Sequence, residues 1–348
     1  QCDSLRSVVI PEGIVKIGSY AFSECSALSE VTVPQTVTSM GSYAFYNNDA
    51  LTEVTIGCGN LGYYAFNSCK GLTSVVIGDS VTTIGADAFW GCHELSYISI
   101  GESLDSIAEH AFFDCDSLIV NVTKIETLFK DYKFGSWASN PFSCSIELCL
   151  NDEPIVNLEV PNTVTKIPGG RFSGRNITSV TIPNSVKIIE NGAFTNCSAL
   201  TSINIPNSVK DIGDAAFENC TELSMLSLGS SLDSIGVRAF GGCKALNSLE
   251  IPNSVRIISV RAFESCDDLT TVTLGKSLET IGESAFAGCH KLSSIEIPNS
   301  VTSIQQGAFY DCYNLKSITL GTSITSIGKS AFGNIGAWTS DTKVFFPN

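Results

Sequence analysis

The sequence predicts a solenoid of short strands and turns, with about thirteen coils of 23 residues and one interruption. The first observation is a recurring Phe, usually in an Ala-Phe pair. It falls at Phe22, Phe45, Phe66, Phe89 and Phe112, then at Phe172 (after Arg171), Phe194, Phe217, Phe240, Phe263, Phe286, Phe309 and Phe332, the last seven spaced by 23. The second is a Cys three residues after most of these Phe residues. The third is composition: of 348 residues, 43% are hydrophobic and 16% charged, a balance that excludes disorder. A single coil cannot cover its own apolar side, so such units come as stacked arrays with the Phe residues in the shared core.

Residues 200–220 show one unit. Ile203 and Ile205 alternate onto one face, as in a half-buried strand. Pro206 ends that strand because it has no N–H to donate. Val209 and Ile212 make a second inward pair on a short extended segment, and Gly213 marks a bend. Ala216 and Phe217 are expected to open a tight helical turn that closes near Cys220.

The residue after the first strand alternates as Pro206, Gly229, Pro252, Gly275, Pro298 and Gly321, a 46-residue double unit. Pro fixes φ and Gly frees it, so alternate turns can differ in shape. Duplication of a two-coil unit, without functional meaning, accounts for the pattern as well. The organisation expected is repeat coils over 1–117, an insert with a β-hairpin over 118–160, and repeat coils over 161–348, in one continuous solenoid. The chain opens within a repeat and without Met, so a mature form or excised fragment is expected.

Fourteen Cys are present. Cys2, Cys25, Cys69, Cys92, Cys115, Cys197, Cys220, Cys243, Cys266, Cys289 and Cys312 share one repeat place and would form a ladder with neighbours ~5 Å apart. Ladder side chains run parallel rather than toward each other, so buried free thiols are expected rather than disulfides. Cys58, Cys144 and Cys149 fall outside the ladder. Cys144 and Cys149 could pair if the chain bends between them, although free thiols are the simpler expectation.

No metal or cofactor site is expected, since no Cys-x-x-Cys occurs and His93, His110 and His290 do not cluster. No catalytic residue is assigned either. Asp105, Asp211 and Asp233 take related places after the turn, which reads as a solvated row rather than an acid–base pair. A net charge of −15 argues against nucleic acid or an anionic membrane as partner. No stretch approaches the ~18 apolar residues of a membrane span, and a monomer is expected. Asn121, Asn176, Asn196 and Asn219 head glycosylation sequons, which matter only in a secreted eukaryotic protein.

The unit L-x-S-V-x-I-P-x-S-V-x-x-I-G-x-x-A-F-x-x-C resembles the BspA-like leucine-rich repeats, also called the Treponema pallidum type. The resemblance covers almost the whole chain. It implies an α/β-type leucine-rich repeat solenoid, mostly β and turn with short helical turns. Residues Trp137 to Phe142, followed by Leu148 to Pro161, resemble a hairpin insert of some members. Proteins of this family are typically surface or secreted proteins of host-associated bacteria and some protists. The resemblance therefore implies a non-enzymatic, extracellular or cell-surface adhesion module whose partner is a host matrix or cell-surface protein. A structural spacer array is the alternative, as is glycan binding along the strand ladder.

Two surfaces compete for the partner. One is the outer side of the strand ladder, with Thr201, Ser202, Asn204, Thr271, Thr273, Ser294 and Glu296, and with Tyr97 and Met225 as its larger groups. The other is the insert, where Phe129, Tyr132, Phe134, Trp137 and Phe142 crowd into fourteen residues. Inserts in repeat proteins often carry function. Tyr132, Phe134, Trp137 and Phe142 are the candidate anchors there, and the structural alternative is a satellite core that docks the insert.

Overall fold

The computed structural model describes residues 2–115, 117–134, 140–335 and 343–345. They fall into two compact units, Gln1–Ile155 and Val156–Asn348.

In the first unit, parallel strands Ser7–Val9, Glu30–Val33, Glu53–Ile56, Ser74–Ile77, Tyr97–Ile100, Leu118–Val122 and Ser145–Leu150 form one ladder. Alternation sets their faces: Val31 and Val33 point into the core while Glu30 and Thr32 face out. A shorter ladder pairs Thr83–Ile84 with Ser106–Ile107 and that with Lys133–Phe134. In the second unit the shorter ladder runs unbroken through eight strands, from Lys166–Ile167 to Ser326–Ile327.

The third side of each coil corrects one expectation. No helix forms around the repeat Phe. Ala215 and Asn219, two residues before and after Phe217, take left-handed φ values of 53° and 58°, which stops a right-handed helix. Their N–H groups do not turn back four residues. Those of Ala215, Phe217 and Asn219 donate to Val237, Ala239 and Gly241 of the next coil at 2.8, 2.8 and 2.7 Å. The turn is thus a third hydrogen-bonded ladder. Left-handed residues flank the other repeat Phe residues in the same way, as at Tyr43 and Asn47 or Arg261 and Ser265.

The repeat Phe rings stack along this side. Centroids are 5.1 to 5.6 Å apart from Phe22 to Phe112 and 5.2 to 5.4 Å from Phe172 to Phe332, a favourable aromatic spacing. Phe45, Phe66, Phe89, Phe112, Phe194, Phe217, Phe240, Phe263, Phe286 and Phe309 are buried as expected. Phe22 and Phe332 are half-buried; each stacks on a single repeat ring among the described residues.

The ladder thiols lie beside the rings. Cys220 Sγ donates to the Phe194 carbonyl of the preceding coil at 3.3 Å, and Cys243, Cys266, Cys289 and Cys312 repeat the contact at 3.2 to 3.4 Å. Cys25, Cys69, Cys92, Cys197, Cys220, Cys243, Cys266, Cys289 and Cys312 are free and buried, Cys115 is buried, and Cys2 is exposed. Burial pushes the Cys197 thiol up to about 11 and those of Cys69 and Cys312 up to about 12. Asn48 stands at the ladder place in the second coil. It is buried, accepts from Cys25 N at 2.7 Å, and donates to the Phe22 and Phe45 carbonyls at 2.9 Å each. The side chain of Cys144 lies outside the described residues.

The double period has a structural counterpart in the second unit. Strand Ser248–Glu250 pairs with Thr271–Thr273, and Ser294–Glu296 with Ser317–Thr319, but the ladder lapses between these pairs. In the first unit, Gly57 and Gly78, each following its strand, donate backward to Val33 O and Ile56 O at 2.7 and 2.8 Å. Pro252 and Pro298 have no N–H to make that bond. Forward contacts compensate. Asn253 Oδ1 accepts from Lys276 N at 2.8 Å, and Asn299 Oδ1 from Thr322 N at 2.9 Å. Ser254 Oγ reaches back to the Leu232 carbonyl at 2.7 Å. Gly275 and Gly321 are required because a Cβ would run into the carbonyls of Pro252 and Pro298.

The described residues of 118–155 belong to the first unit. Leu118–Val122 pairs with strands on both sides. A 3-10 helix, Ile125–Phe129, stands in for the usual turn, and the short helix Pro141–Cys144 is capped by Asn140 Oδ1, which accepts from Phe142 N. Strand Ser145–Leu150 then turns through Asn151 and Asp152, with φ of 52° and 66°, into antiparallel Glu153–Pro154. This two-residue turn with both residues left-handed is the favoured hairpin type.

Candidate functional site: the turn face of the first unit

The residues singled out in the sequence separate in space. Tyr132 and Phe142 are buried. Their rings are 5.7 Å apart, Phe134 lies 5.9 Å from Tyr132, and the Tyr132 hydroxyl donates to the Thr127 carbonyl at 3.0 Å. As partner anchors Tyr132 and Phe142 are therefore corrected: they form a satellite core that fixes the segment, and partial exposure remains at Phe134. Trp137 lies outside the described residues.

On the strand face, the Tyr97 hydroxyl donates to Asp152 Oδ1 of the hairpin turn at 2.6 Å. Burial, reinforced by Asp152, holds that phenol above its ordinary range. The same turn covers Asn121, whose Oδ1 accepts from Asp152 N at 2.9 Å. Asn121 is buried, so its sequon is closed to modification in the folded chain. Met225 is exposed on its strand as a single apolar group, a common surface feature that needs no partner.

Among the described residues, four of the six exposed large rings, Tyr20, Tyr63, Trp90 and Phe113, lie on the turn ladder of the first unit; Tyr310 and Tyr313 lie in the second. Two residues before the core Phe stand Tyr20, Tyr43 and Tyr64, then Asp87 and His110. Tyr20 stacks on Tyr43 at 4.8 Å and Tyr43 on Tyr64 at 4.7 Å, both with planes 3° apart. One residue after the core Phe stand Tyr46, Trp90 and Phe113. Tyr46 meets Tyr43 edge-on at 5.5 Å, and Trp90 meets Phe113 edge-on at 6.3 Å. His110 joins the rows, with its ring 5.9 Å from Phe113 and Nδ1 3.8 Å from Asp87. Exposure is 58% at Tyr20, 59% at Tyr63, 42% at Trp90 and 38% at Phe113.

Tyr20, Tyr43 and Tyr64 have φ of 59°, 58° and 57°; at the same place the second unit has Gly170, Gly192 and Gly307 but also left-handed Ala215, Arg238, Arg261, Ser284 and Ser330. A left-handed L-residue costs roughly 1–2 kcal/mol, and ring stacking offsets part of that at each step. The corresponding turns of the second unit, from 168–175 to 328–335, hold one aromatic residue besides the core Phe, Tyr310. The first unit's turns hold seven: Tyr20, Tyr43, Tyr46, Tyr63, Tyr64, Trp90 and Phe113. The sequence signal was the triplet Tyr-Ala-Phe at 20–22, 43–45 and 64–66, hidden by the stronger Phe period in the same register.

Among the described residues no group of three His, Cys, Asp or Glu side chains could hold a metal ion, and no helix is long and apolar enough to cross a membrane. The family model for the BspA type leucine-rich repeat region matches residues 1–119, 147–266 and 233–341, in six copies. The chain belongs to the BspA-type leucine-rich repeat family. Its coils are those of a repeat family of the protein-interaction kind.

One solved structure shares the fold, and two others are similar in sequence. A leucine-rich repeat protein from Bacteroides ovatus is 24% identical, with a TM-score of 0.50 and 92% of each chain covered. A leucine rich cell surface protein from Faecalibacterium prausnitzii is 27% identical, with a TM-score of 0.40, covering 99% of this chain and 88% of that one. A leucine-rich repeat protein from Eubacterium ventriosum is 24% identical, with a TM-score of 0.44, covering 96% and 85%. No curated protein matches the chain.

Proposed function

We propose that the chain is a non-enzymatic, surface-displayed adhesion module that grips a protein partner through the turn face of its first unit. One observation carries the reading: seven aromatic residues, six of them in two rows around Tyr43, Trp90 and Phe113 with Tyr63 beside them, occupy turns whose counterparts in the second unit hold one. Binding energy at protein interfaces concentrates in Tyr, Trp and Arg. Stacked rings are also held rigid before contact, so little freedom is lost on binding. Membership of the family supports the extracellular setting and the protein partner.

The test is direct. The intact chain, fluorescently labelled, is titrated onto host cells and onto immobilised matrix proteins at physiological salt. Saturable binding supports the module. Absence of binding across cells, matrix proteins and glycans overturns it in favour of a structural spacer.

A further inference from the structure

The turn face of the first unit differs from that of the second in charge as well as in rings: the second mixes carboxylates with Arg171, Arg175, Arg238, Arg261 and Lys329, and the first has no such cations. Its segments 18–25, 41–48, 62–69, 85–92 and 108–115 contain four carboxylates, Glu24, Asp87, Glu109 and Asp114, and no Lys or Arg. Two of these carboxylates lie among the rings. Asp114 accepts from Trp90 Nε1 at 3.3 Å. Asp87 follows Tyr64 in the ladder, and its charge is the main reason the Tyr64 phenol sits above its ordinary range. A cation placed here gains from the carboxylates and from the ring quadrupoles together.

We propose that the occupant of this face is a basic, extended polypeptide segment whose Lys or Arg side chains settle between the rings and carboxylates. This rests on the reading of the same face as the contact surface. Five coils spaced by ~4.8 Å make a row of roughly 20 Å, the length of about six extended residues. A second copy of the chain does not fit the requirement. Among the turn-face cations of the second unit, Arg171 and Arg175 are buried, and two more are already engaged: Arg238 lies 2.5 Å from Glu218 and 3.1 Å from Glu264, and Arg261 lies 3.7 Å from Glu264.

The probe is a labelled Arg-Gly-Arg-Gly-Arg-Gly peptide, with its Glu-for-Arg counterpart and a Gly-Ser peptide as controls, titrated onto the intact chain by fluorescence polarisation. Three variants, checked by circular dichroism for retained fold, separate the causes. The ring variant, Tyr20→Asn with Trp90→Ala and Phe113→Ala, leaves the charge unchanged, and Asn tolerates the left-handed position. The charge variant is Asp87→Asn with Glu109→Gln and Asp114→Asn. The control, Glu30→Gln with Glu53→Gln and Glu147→Gln, removes as much charge from the strand face of the same unit.

The expected result is binding of the Arg peptide alone, weakened about tenfold or more by the ring and charge variants and about twofold at most by the control. A control as damaging as the charge variant, or an inert ring variant, overturns the proposal and leaves diffuse attraction to an acidic chain. If the Arg peptide does not bind while cells still do, and the ring variant abolishes cell binding, the contact surface stands and the basic occupant is wrong. If cell binding survives the ring variant, the contact-surface reading falls as well.

Discussion

The thiol of Cys220 donates to the carbonyl of Phe194, one coil back, at 3.3 Å. That carbonyl also accepts from Cys197 N at 3.1 Å, so each rung ties two coils and a core ring together. The thiols are therefore structural. Alkylation of the non-reduced protein is expected to label Cys2 in the folded chain, and the ladder thiols from Cys69 to Cys312 after denaturation. Fast labelling of Cys243 or Cys266 in the folded state would contradict this.

The same burial sets a pH dependence. Thiols of the unfolded chain ionise near the ordinary 9.0, whereas burial holds Cys197 protonated to about 11 and Cys58, Cys69 and Cys312 to about 12. Between those values the folded state binds more protons, so its advantage is full below pH 9 and is lost as pH rises. Each such thiol removes about 1.4 kcal/mol per pH unit in that window. Urea midpoints measured from pH 7.5 to 10.5 are expected to hold and then fall steeply above about 9. Midpoints that do not change across the range would show that the thiols are not buried in solution.

The Phe stack gives a position-dependent series. Phe240→Ala, within the stack, is expected to destabilise by about 3–5 kcal/mol. Phe22→Ala, at a half-buried position with one stacking neighbour, is expected to cost less than half as much. Equal urea-unfolding losses at the two sites would contradict the ring stack as the source of stability.

The Pro–Gly pairing is testable at one atom. Gly275→Ala points a methyl at the Pro252 carbonyl, and overpacking of this kind costs about 1–3 kcal/mol. Gly18→Ala meets nothing within 4 Å and no unusual φ, so it is expected to be neutral. Thermal unfolding that ranks the two substitutions alike would remove the steric reason for the 46-residue period.

The coils were legible because their core obeys simple periods. Phe, Cys and the alternating Ile203 and Ile205 recur at fixed places, and burial of those side chains in neighbouring coils is what the period encodes. The turn was legible as a turn but not as a non-helical one. Its left-handed places are filled by Tyr, Asp, His, Arg, Ser and Asn more often than by Gly, and its N–H groups are satisfied by the next coil, which a single unit cannot reveal. The burial of the insert's rings was hidden for a related reason. A dense run of rings, such as Phe129, Tyr132 and Phe142, is what a small satellite core also needs. Tyr20, Tyr43 and Tyr64 are each unremarkable alone and form a row only once the coils stack.

The central claim is that contact with the partner is made by the turn face of the first unit. It is tested by comparing binding of three chains to intact host cells: the unaltered chain, the variant with Tyr20→Asn, Trp90→Ala and Phe113→Ala, and a strand-face variant with Met225→Ser and Thr271→Ala. Loss of saturable binding in the turn-face variant, with the strand-face variant unaffected and both folded by circular dichroism, is the expected result. Retained binding in the turn-face variant, or loss confined to the strand-face variant, would contradict it.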